Sequence, residues 1–221
     1  MRDEITEQSE QQPTLWDHMQ TPLIILGGFI VLIWFIELVD VVFLDGGLDQ
    51  YGIQPRTTQG LYGIFLAPFL HGGFGHVMAN TMPILVMGVL IMITRGVKEF
   101  LMATAVIMVF SGLGTWLIGA TGSVHIGASG LIFGYFGFLL VITYFERSCR
   151  NVIVAGFVLF LYSGLIWGVF PRNDGISWQS HLFGFIGGII AAYLMTRSKT
   201  NAPVINDSVD DGILRITSED L

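Results

Sequence analysis

Six long apolar segments, separated by short polar breaks, restrict this chain to a helical fold inside a membrane. The segments are residues 22–43, 76–95, 99–119, 126–145, 152–170 and 178–196. A helix that rises ~1.5 Å per residue needs about 20 mostly apolar residues to cross a ~30 Å hydrocarbon core. Only 12% of the residues are charged, about half the share of a soluble domain. The sequence therefore predicts an all-α membrane protein with six transmembrane helices.

Polar sequence flanks the apolar core on both sides and predicts three parts. Residues 1–21 are polar and acidic, and residues 197–221 are rich in Ser and Asp. Most of the acidic residues behind the net charge of −7 lie in these two tails. We predict a six-helix core over residues 22–196 between two cytoplasmic tails. A further apolar stretch, residues 60–70, is too short to span and is expected to lie in the outer membrane interface.

The basic residues predict the orientation, because Lys and Arg accumulate on the cytoplasmic side of membrane helices. With the N-terminus inside, the outer loops hold two basic residues, Arg56 and Arg172. The inner side then holds the other eight: Arg2, Arg95, Lys98, Arg147, Arg150, Arg197, Lys199 and Arg215. We therefore predict that both termini are inside. The second, fourth and sixth helices then begin at the outer surface and run inward.

Four polar side chains lie near the outer ends of these inward-running helices. His76 and Asn80 open the second helix, Ser129 opens the fourth, and His181 opens the sixth. Each lies within about one 5.4 Å turn of its helix start, so all four share one shallow depth. Polar groups in hydrocarbon are costly unless they are paired. Singly, each could be a packing or hydrogen-bonding residue, but their common depth predicts one shared site.

The residue types at this depth fit nucleophilic catalysis. Ser129 is the candidate nucleophile and His181 the candidate general base, which accepts the serine proton and later returns it to the leaving amine. His76 and Asn80 are four residues apart on one helix face and can donate to an oxyanion. The backbone N–H groups of Ser129 and Gly130 lack intrahelical partners at a helix N-terminus and can join them.

The histidine lacks a carboxylate partner at its own depth, which favours a Ser–His dyad. Helix packing, or the ring of Phe133, must then orient the imidazole of His181. A triad assisted by Asp174, in the last outer loop, is the alternative. We expect His71 to have a structural role and to make hydrogen bonds within its own loop, and His125, a rival base, to be a solvent-facing loop residue.

Small residues predict close packing of the fourth and sixth segments. Gly130 and Gly134 are four residues apart, as are Gly184 and Gly188. Such spacing lets two helix backbones approach closely. This packing is expected to bring Ser129 within hydrogen-bond reach of His181. Two acidic residues of the first segment, Glu37 and Asp40, are expected to make capping contacts with the outer loop.

Three motifs in the correct order resemble the rhomboid intramembrane serine proteases over residues 20–196. They are Gly127-Ala128-Ser129-Gly130, the pattern His181…Gly184…Gly188, and His71…His76…Asn80. The resemblance implies Ser129 as nucleophile, His181 as base, and His76 and Asn80 as oxyanion donors.

The family resemblance also implies the kind of substrate, and the chain differs from many relatives at two places. It implies substrates that are single-pass membrane proteins, cut near the outer part of the transmembrane helix. It implies no metal, no organic cofactor and no nucleic acid partner, and leaves the oligomeric state undefined. Many relatives have Tyr at the position of Phe133, and a Trp-Arg pair in the loop where this chain has Tyr51 to Arg56.

Two other functions are compatible with a polytopic chain of this kind. A rhomboid-like protein could bind membrane clients without cutting them, although the presence of both Ser129 and His181 argues against it. A channel or transporter should carry polar residues through the full membrane depth, whereas the inner halves of these helices are apolar. The short loops and basic inner side predict a bacterial plasma membrane.

Overall fold

Helices form most of the part of the chain that the computed structural model describes, residues 15–171 and 175–200. Its α-helices are α1 (Leu15–Val39), α2 (Thr58–Leu66), α3 (Phe74–Arg95), α4 (Val97–Ile118), α5 (Ser129–Glu146), α6 (Cys149–Tyr162) and α7 (Trp178–Thr200). A π-helical turn, Asp40–Leu44, extends α1, and 3-10 helices cover Asp49–Tyr51, Ala67–Phe69 and Ser163–Val169. Residues 1–14 and 201–221, most of the two predicted tails, lie outside the described residues.

Five helical segments are long and apolar enough to cross a membrane. They are Met19–Leu44, Phe74–Arg95, Val97–Ile118, Ser129–Glu146 and Cys149–Val169. The predicted class, an all-helical integral membrane protein, is therefore confirmed. The sixth predicted segment corresponds to α7, which is 23 residues long but lies outside this group. Its first turn, Trp178-Gln179-Ser180-His181, is polar and lowers its mean hydropathy.

The central helix of the bundle is α5, and α7 packs most closely against it. Eleven of the 18 residues of α5 are buried, as expected for a helix surrounded by others. A Cβ atom on Gly184 would overlap the backbone of Gly130, and one on Gly188 would overlap Gly134. The predicted glycine pairs therefore face each other, and they allow the α5 and α7 backbones to touch.

The outer loops are tied to one another by backbone hydrogen bonds. Ile53, in the loop after α1, exchanges two bonds with His125, in the loop before α5, at 2.9 and 3.0 Å. The apolar stretch 60–70 forms most of α2 and the 3-10 helix that follows it. The carbonyl of Ala67 accepts the N–H of Gly127 at 2.8 Å. This contact fixes the chain just before Ser129.

The opposite end of the bundle is held by ion pairs. Arg95, the last residue of α3, pairs with Glu99 of α4 at 2.7 Å and also with Glu146, the last residue of α5. Asn151 of α6 donates to Glu146 at 3.2 Å. The arginine side chain is 2% exposed, whereas its partners Glu99 and Glu146 are 19% and 20% exposed. These contacts tie together the ends of α3 and α5 that lie opposite to His76, Asn80 and Ser129.

Candidate active site

A cavity of about 540 Å³ lies beside the first turns of α3, α5 and α7. The loops before α5 and before α7 line its rim. The helices contribute His76, Asn80, Ser129, Phe133 and His181 to its wall. The structure thus brings the four polar side chains singled out in the sequence into one cavity.

The geometry of Ser129 and His181 fixes the direction of the hydrogen bond between them. The Nε2 atom of His181 lies 2.9 Å from the Oγ atom of Ser129. The Nδ1 atom of His181 lies 3.0 Å from the carbonyl oxygen of Gly168. A carbonyl can only accept, so Nδ1 carries a proton and, in the neutral ring, Nε2 accepts from the serine hydroxyl. This is the arrangement that a general base needs.

The imidazole ring is held on its face as well as at its edge. Phe133 stacks on His181 with a centroid distance of 3.9 Å and an interplanar angle of 7°. A Cβ atom on Gly168 would lie 2.5 Å from Cζ of Phe133 and 3.3 Å from Nδ1 of His181. Gly168 therefore lets its carbonyl approach the histidine. The alternative acid, Asp174, lies outside the described residues.

A methyl group at Gly168 tests this backbone contact. For the peptidase that the sequence resemblance implies, we expect Gly168→Ala to lower kcat about ten- to hundredfold, because the methyl group would displace the imidazole of His181 and a shift of about 1 Å can cost that much. The measurement is cleavage of a membrane substrate at saturating concentration. Gly164→Ala is the matched control, since it lies in the same 3-10 helix with open space at its Cβ. Equal kcat in both variants would contradict the role of Gly168.

His76, which lines the cavity, has one ring nitrogen that acts as a hydrogen-bond donor. The N–H of Gly72 donates to Nδ1 of His76 at 3.3 Å, so the ring proton lies on Nε2 when the imidazole is neutral. Nε2 also carries a proton when the ring is charged, and is a donor in both states. The Nε2 atom lies against Gly127, where a Cβ would approach it to 2.6 Å.

Three further donors lie beside Ser129. The side-chain nitrogen of Asn80 donates to the carbonyl of His76 at 3.0 Å, which leaves its second hydrogen for another acceptor. Among the described residues, the backbone N–H groups of Ser129 and Gly130 have no hydrogen-bond partner. They lie at the N-terminus of α5, where the helix dipole favours negative charge. The cavity can therefore hold an anionic oxygen.

His71 lies behind the cavity wall and makes a structural contact, but this contact is with a different loop, whereas the prediction placed it within its own loop. It is 2% exposed and accepts the N–H of Ala128 at 3.4 Å. Its ring also meets His76 edge-on, with a centroid distance of 5.0 Å. His71 thus connects the start of α3 to the residue before Ser129.

Because His71 is buried, the stability of the folded protein is expected to fall at acidic pH. Burial first, and then the charge on His76, lower the pKa of His71 from 6.5 to about 4. A lowered pKa means that the folded state binds fewer protons than the unfolded state, so stability is complete above pH 6.5 and is lost as the pH falls toward 4. The loss attributable to His71 is about 3 kcal/mol.

Unfolding of the wild type and His71→Gln in detergent, followed in steps of pH, measures this loss. The variant cannot titrate at position 71, so its stability should fall less between pH 6.5 and 4. Parallel curves for the two proteins would contradict the assignment.

The prediction for His125 was wrong, whereas Asp40 makes the expected contact. His125 is half-buried rather than solvent-facing, and its ring bonds to Ser123 and Ser177. Its position in a loop gave no sign of these partners. Asp40 caps the outer loop, since its Oδ1 atom accepts the N–H of Leu48 at 2.8 Å. Glu37 is buried beside the backbone of Gly73 at the start of α3.

Comparison with known proteins places the chain in one family. The family model of the rhomboid domain matches residues 58–198 of this chain. The chain is similar to "Uncharacterized protein Mb1372" of Mycobacterium bovis, with 44% identity over 82% of this chain and 80% of that protein. It is also similar to "Putative rhomboid protease YdcA" of Bacillus subtilis, with 30% identity over 59% of this chain and 65% of that protein. "RHOMBOID-like protein 5" of Arabidopsis thaliana is 32% identical over 58% of this chain and 41% of its own length. The chain belongs to the rhomboid family.

Proposed function

We propose that the chain is an intramembrane serine endopeptidase that cuts transmembrane segments of other membrane proteins near the outer membrane face. The observation that carries this proposal is a pair of hydrogen bonds made by the imidazole of His181. Its Nε2 accepts from the hydroxyl of Ser129, and its Nδ1 donates to the carbonyl of Gly168. A buried histidine with a structural role alone would not require an acceptor nitrogen aimed at a serine that lines a cavity. Membership of the rhomboid family supports the same reaction class.

The first half of the reaction forms an acyl-enzyme. The Oγ atom of Ser129 attacks the peptide carbonyl while its proton passes to Nε2 of His181. The carbonyl oxygen becomes an oxyanion and receives hydrogen bonds from His76, Asn80 and the N–H groups at the start of α5. The C–N bond then breaks, and His181 gives its proton to the departing amine.

The second half hydrolyses the ester. A water molecule gives a proton to His181 and attacks the acyl carbon, so the oxyanion forms again at the same donors. Its collapse breaks the bond to Oγ of Ser129, which recovers its proton from His181 and releases a carboxylic acid. Every proton is carried by the dyad, so the mechanism calls for no metal or organic cofactor.

We also propose that α7 is a sixth transmembrane helix and that both termini lie inside. With 23 residues, α7 is about 34 Å long, which is enough to span a ~30 Å core. The basic and ion-paired cluster around Arg95 lies at the opposite helix ends from the cavity, as the positive-inside rule expects. The cavity then opens toward the outer face of a bacterial plasma membrane.

The substrates proposed here are single-pass membrane proteins with a locally unstable helix. A peptide carbonyl inside a helix is covered by its own hydrogen bonds and must be released before Ser129 can reach it. Loop residues rather than a closed helix wall form the outer rim of the cavity, which favours approach of an unwound segment from that side. Water needed for the second step reaches the site from the same face.

Cleavage in liposomes tests the proposal. The full-length protein is reconstituted with a single-pass substrate that carries a reporter at each end, and the product masses are measured. The wild type should cut within the outer third of the transmembrane segment, and His181→Ala should leave the substrate intact. Client binding without cleavage, across several substrates with unstable helices, would instead support a non-proteolytic client binder.

A further inference from the structure

A second serine–histidine contact lies at the rim of the same cavity. His125, in the loop between α4 and α5, places Nδ1 at 2.7 Å from Oγ of Ser177, in the loop before α7. Its Nε2 atom lies 2.8 Å from Oγ of Ser123. The imidazole thus joins the loop that leads into Ser129 to the loop that leads into His181.

The available protons give these contacts a single direction. Ser123 donates its hydroxyl proton to the carbonyl of Ala120 at 2.7 Å, so its Oγ must accept from Nε2–H of His125. A neutral imidazole has one N–H, so Nδ1 accepts the hydroxyl proton of Ser177. Burial lowers the pKa of His125, which favours this neutral form. The hydroxyl group of Ser177 therefore donates a hydrogen bond to Nδ1 of His125, and this bond holds it in place.

Ser177 in turn fixes the first turn of α7. Its Oγ atom accepts the N–H of Ser180 at 3.4 Å, as an N-cap residue does. Its carbonyl accepts the N–H of His181 at 3.2 Å. Because Ser177 precedes the helix and bonds the backbone of His181, a shift of Ser177 would move the imidazole relative to Ser129.

The other end of this connection is rigid. The backbone of His125 exchanges two hydrogen bonds with Ile53, which lies in a different loop. Gly119 packs so closely that a Cβ atom there would lie 2.9 Å from Nε2 of His125. The ring therefore has little freedom, and it can transmit the position of one loop to the other.

We propose that His125 is a positioning residue that holds Ser177, and through it the first turn of α7, so that His181 stays in register with Ser129. This inference rests on the proposed serine protease function. His125 acts through Ser177 and does not touch the reacting atoms. In this role Ser177 caps α7 by accepting the N–H of Ser180, and the proposed nucleophile remains Ser129.

The rate at which a small fluorophosphonate labels Ser129 measures this effect directly. Labelling needs an activated serine but no docked transmembrane substrate, so it separates positioning from substrate binding. We expect His125→Phe, which keeps a ring but no hydrogen bonds, to lower the labelling rate about tenfold through misplacement of His181. Ser177→Ala should lower it by a similar factor.

Two conservative variants distinguish the Ser177 link from a general packing role. Asn at position 125 carries Oδ1 at the place of imidazole Nδ1 and can still accept from Ser177. Gln carries Nε2 at the place of the other ring nitrogen and reaches only Ser123. His125→Asn should therefore restore most of the labelling rate, and His125→Gln should not. The double variant His125→Phe with Ser177→Ala should be no slower than either single variant.

Ser148→Ala is the matched control for Ser177→Ala. Ser148 also precedes a helix, α6, but makes no side-chain capping bond, so its variant should label at the wild-type rate. If the wild type labels and the folded variants His125→Phe and Ser177→Ala label equally fast, the positioning role of His125 is overturned. Failure of the wild type to label at all would instead overturn the proposed function, and thermal unfolding of each variant shows that it is folded.

Discussion

Replacing Ser129 with alanine is expected to abolish proteolysis while leaving the fold intact. The change removes the Oγ atom that bonds Nε2 of His181 at 2.9 Å, and no acyl-enzyme can form without it. Loss of a catalytic nucleophile lowers kcat by at least about 10³-fold in serine proteases. The measurement is product formation in liposomes over hours, with a detection limit below one thousandth of the wild-type rate.

The control is Ser148→Ala, because this serine lies at the other end of the bundle before α6. It should cut at the wild-type rate, and both variants should unfold at the wild-type temperature. Cleavage by purified Ser129→Ala above one tenth of the wild-type rate would mean that another residue is the nucleophile.

The second large effect is expected at the contact between α5 and α7. In Gly188→Ala, the new Cβ would overlap the carbonyl group of Gly134, and two helix backbones cannot both stay in place. We expect the free energy of unfolding to fall by about 2–3 kcal/mol, as overpacked cores do. Cleavage should fall more than tenfold, because the separation of α5 from α7 pulls Ser129 away from His181.

Gly156→Ala is the matched control for this change. Gly156 also lies inside a membrane helix, α6, but a Cβ atom there has open space around it. Its variant should keep wild-type activity and be equally or slightly more stable, since Ala favours helix over Gly. Equal stability of Gly188→Ala and Gly156→Ala would show that the close approach is not required.

Most of the site features that could be predicted from the sequence involve residues with helical spacing. Ser129 and His181 each lie within about one turn of the start of an apolar segment, so their proximity could be predicted from helix geometry and the predicted orientation. The glycine pairs followed from their four-residue spacing, and Phe133 from its place one turn after the serine. These features depend on local periodicity, which the sequence displays directly.

Features built from loops and backbone atoms could not be predicted. The acceptor for Nδ1 of His181 is the carbonyl of Gly168, and a backbone carbonyl has no signature in the sequence. His125 was expected to face solvent because it lies in a polar loop, yet Ser177, 52 residues away, is its partner. Loop-to-loop contacts over such separations depend on how the helices pack, which spacing alone does not reveal.

The first turn of α7 shows how function can obscure a structural signal. The residues Trp178 to His181 lower the hydropathy of the helix, and among them His181 lines the cavity. The proposed active site needs polar groups at the start of a segment that is otherwise apolar. The helix that carries the base is therefore the one whose membrane signal is weakest.

The most direct test of the proposed dyad is to map where a fluorophosphonate attaches to the folded protein. The serine oxygen displaces fluoride and forms a stable phosphonyl ester, and mass spectrometry of peptides locates it. The dyad predicts one modified residue, Ser129, with labelling lost in Ser129→Ala and slowed at least about 10³-fold in His181→Ala. Labelling at another serine, or labelling of Ser129 at an unchanged rate in His181→Ala, would contradict it.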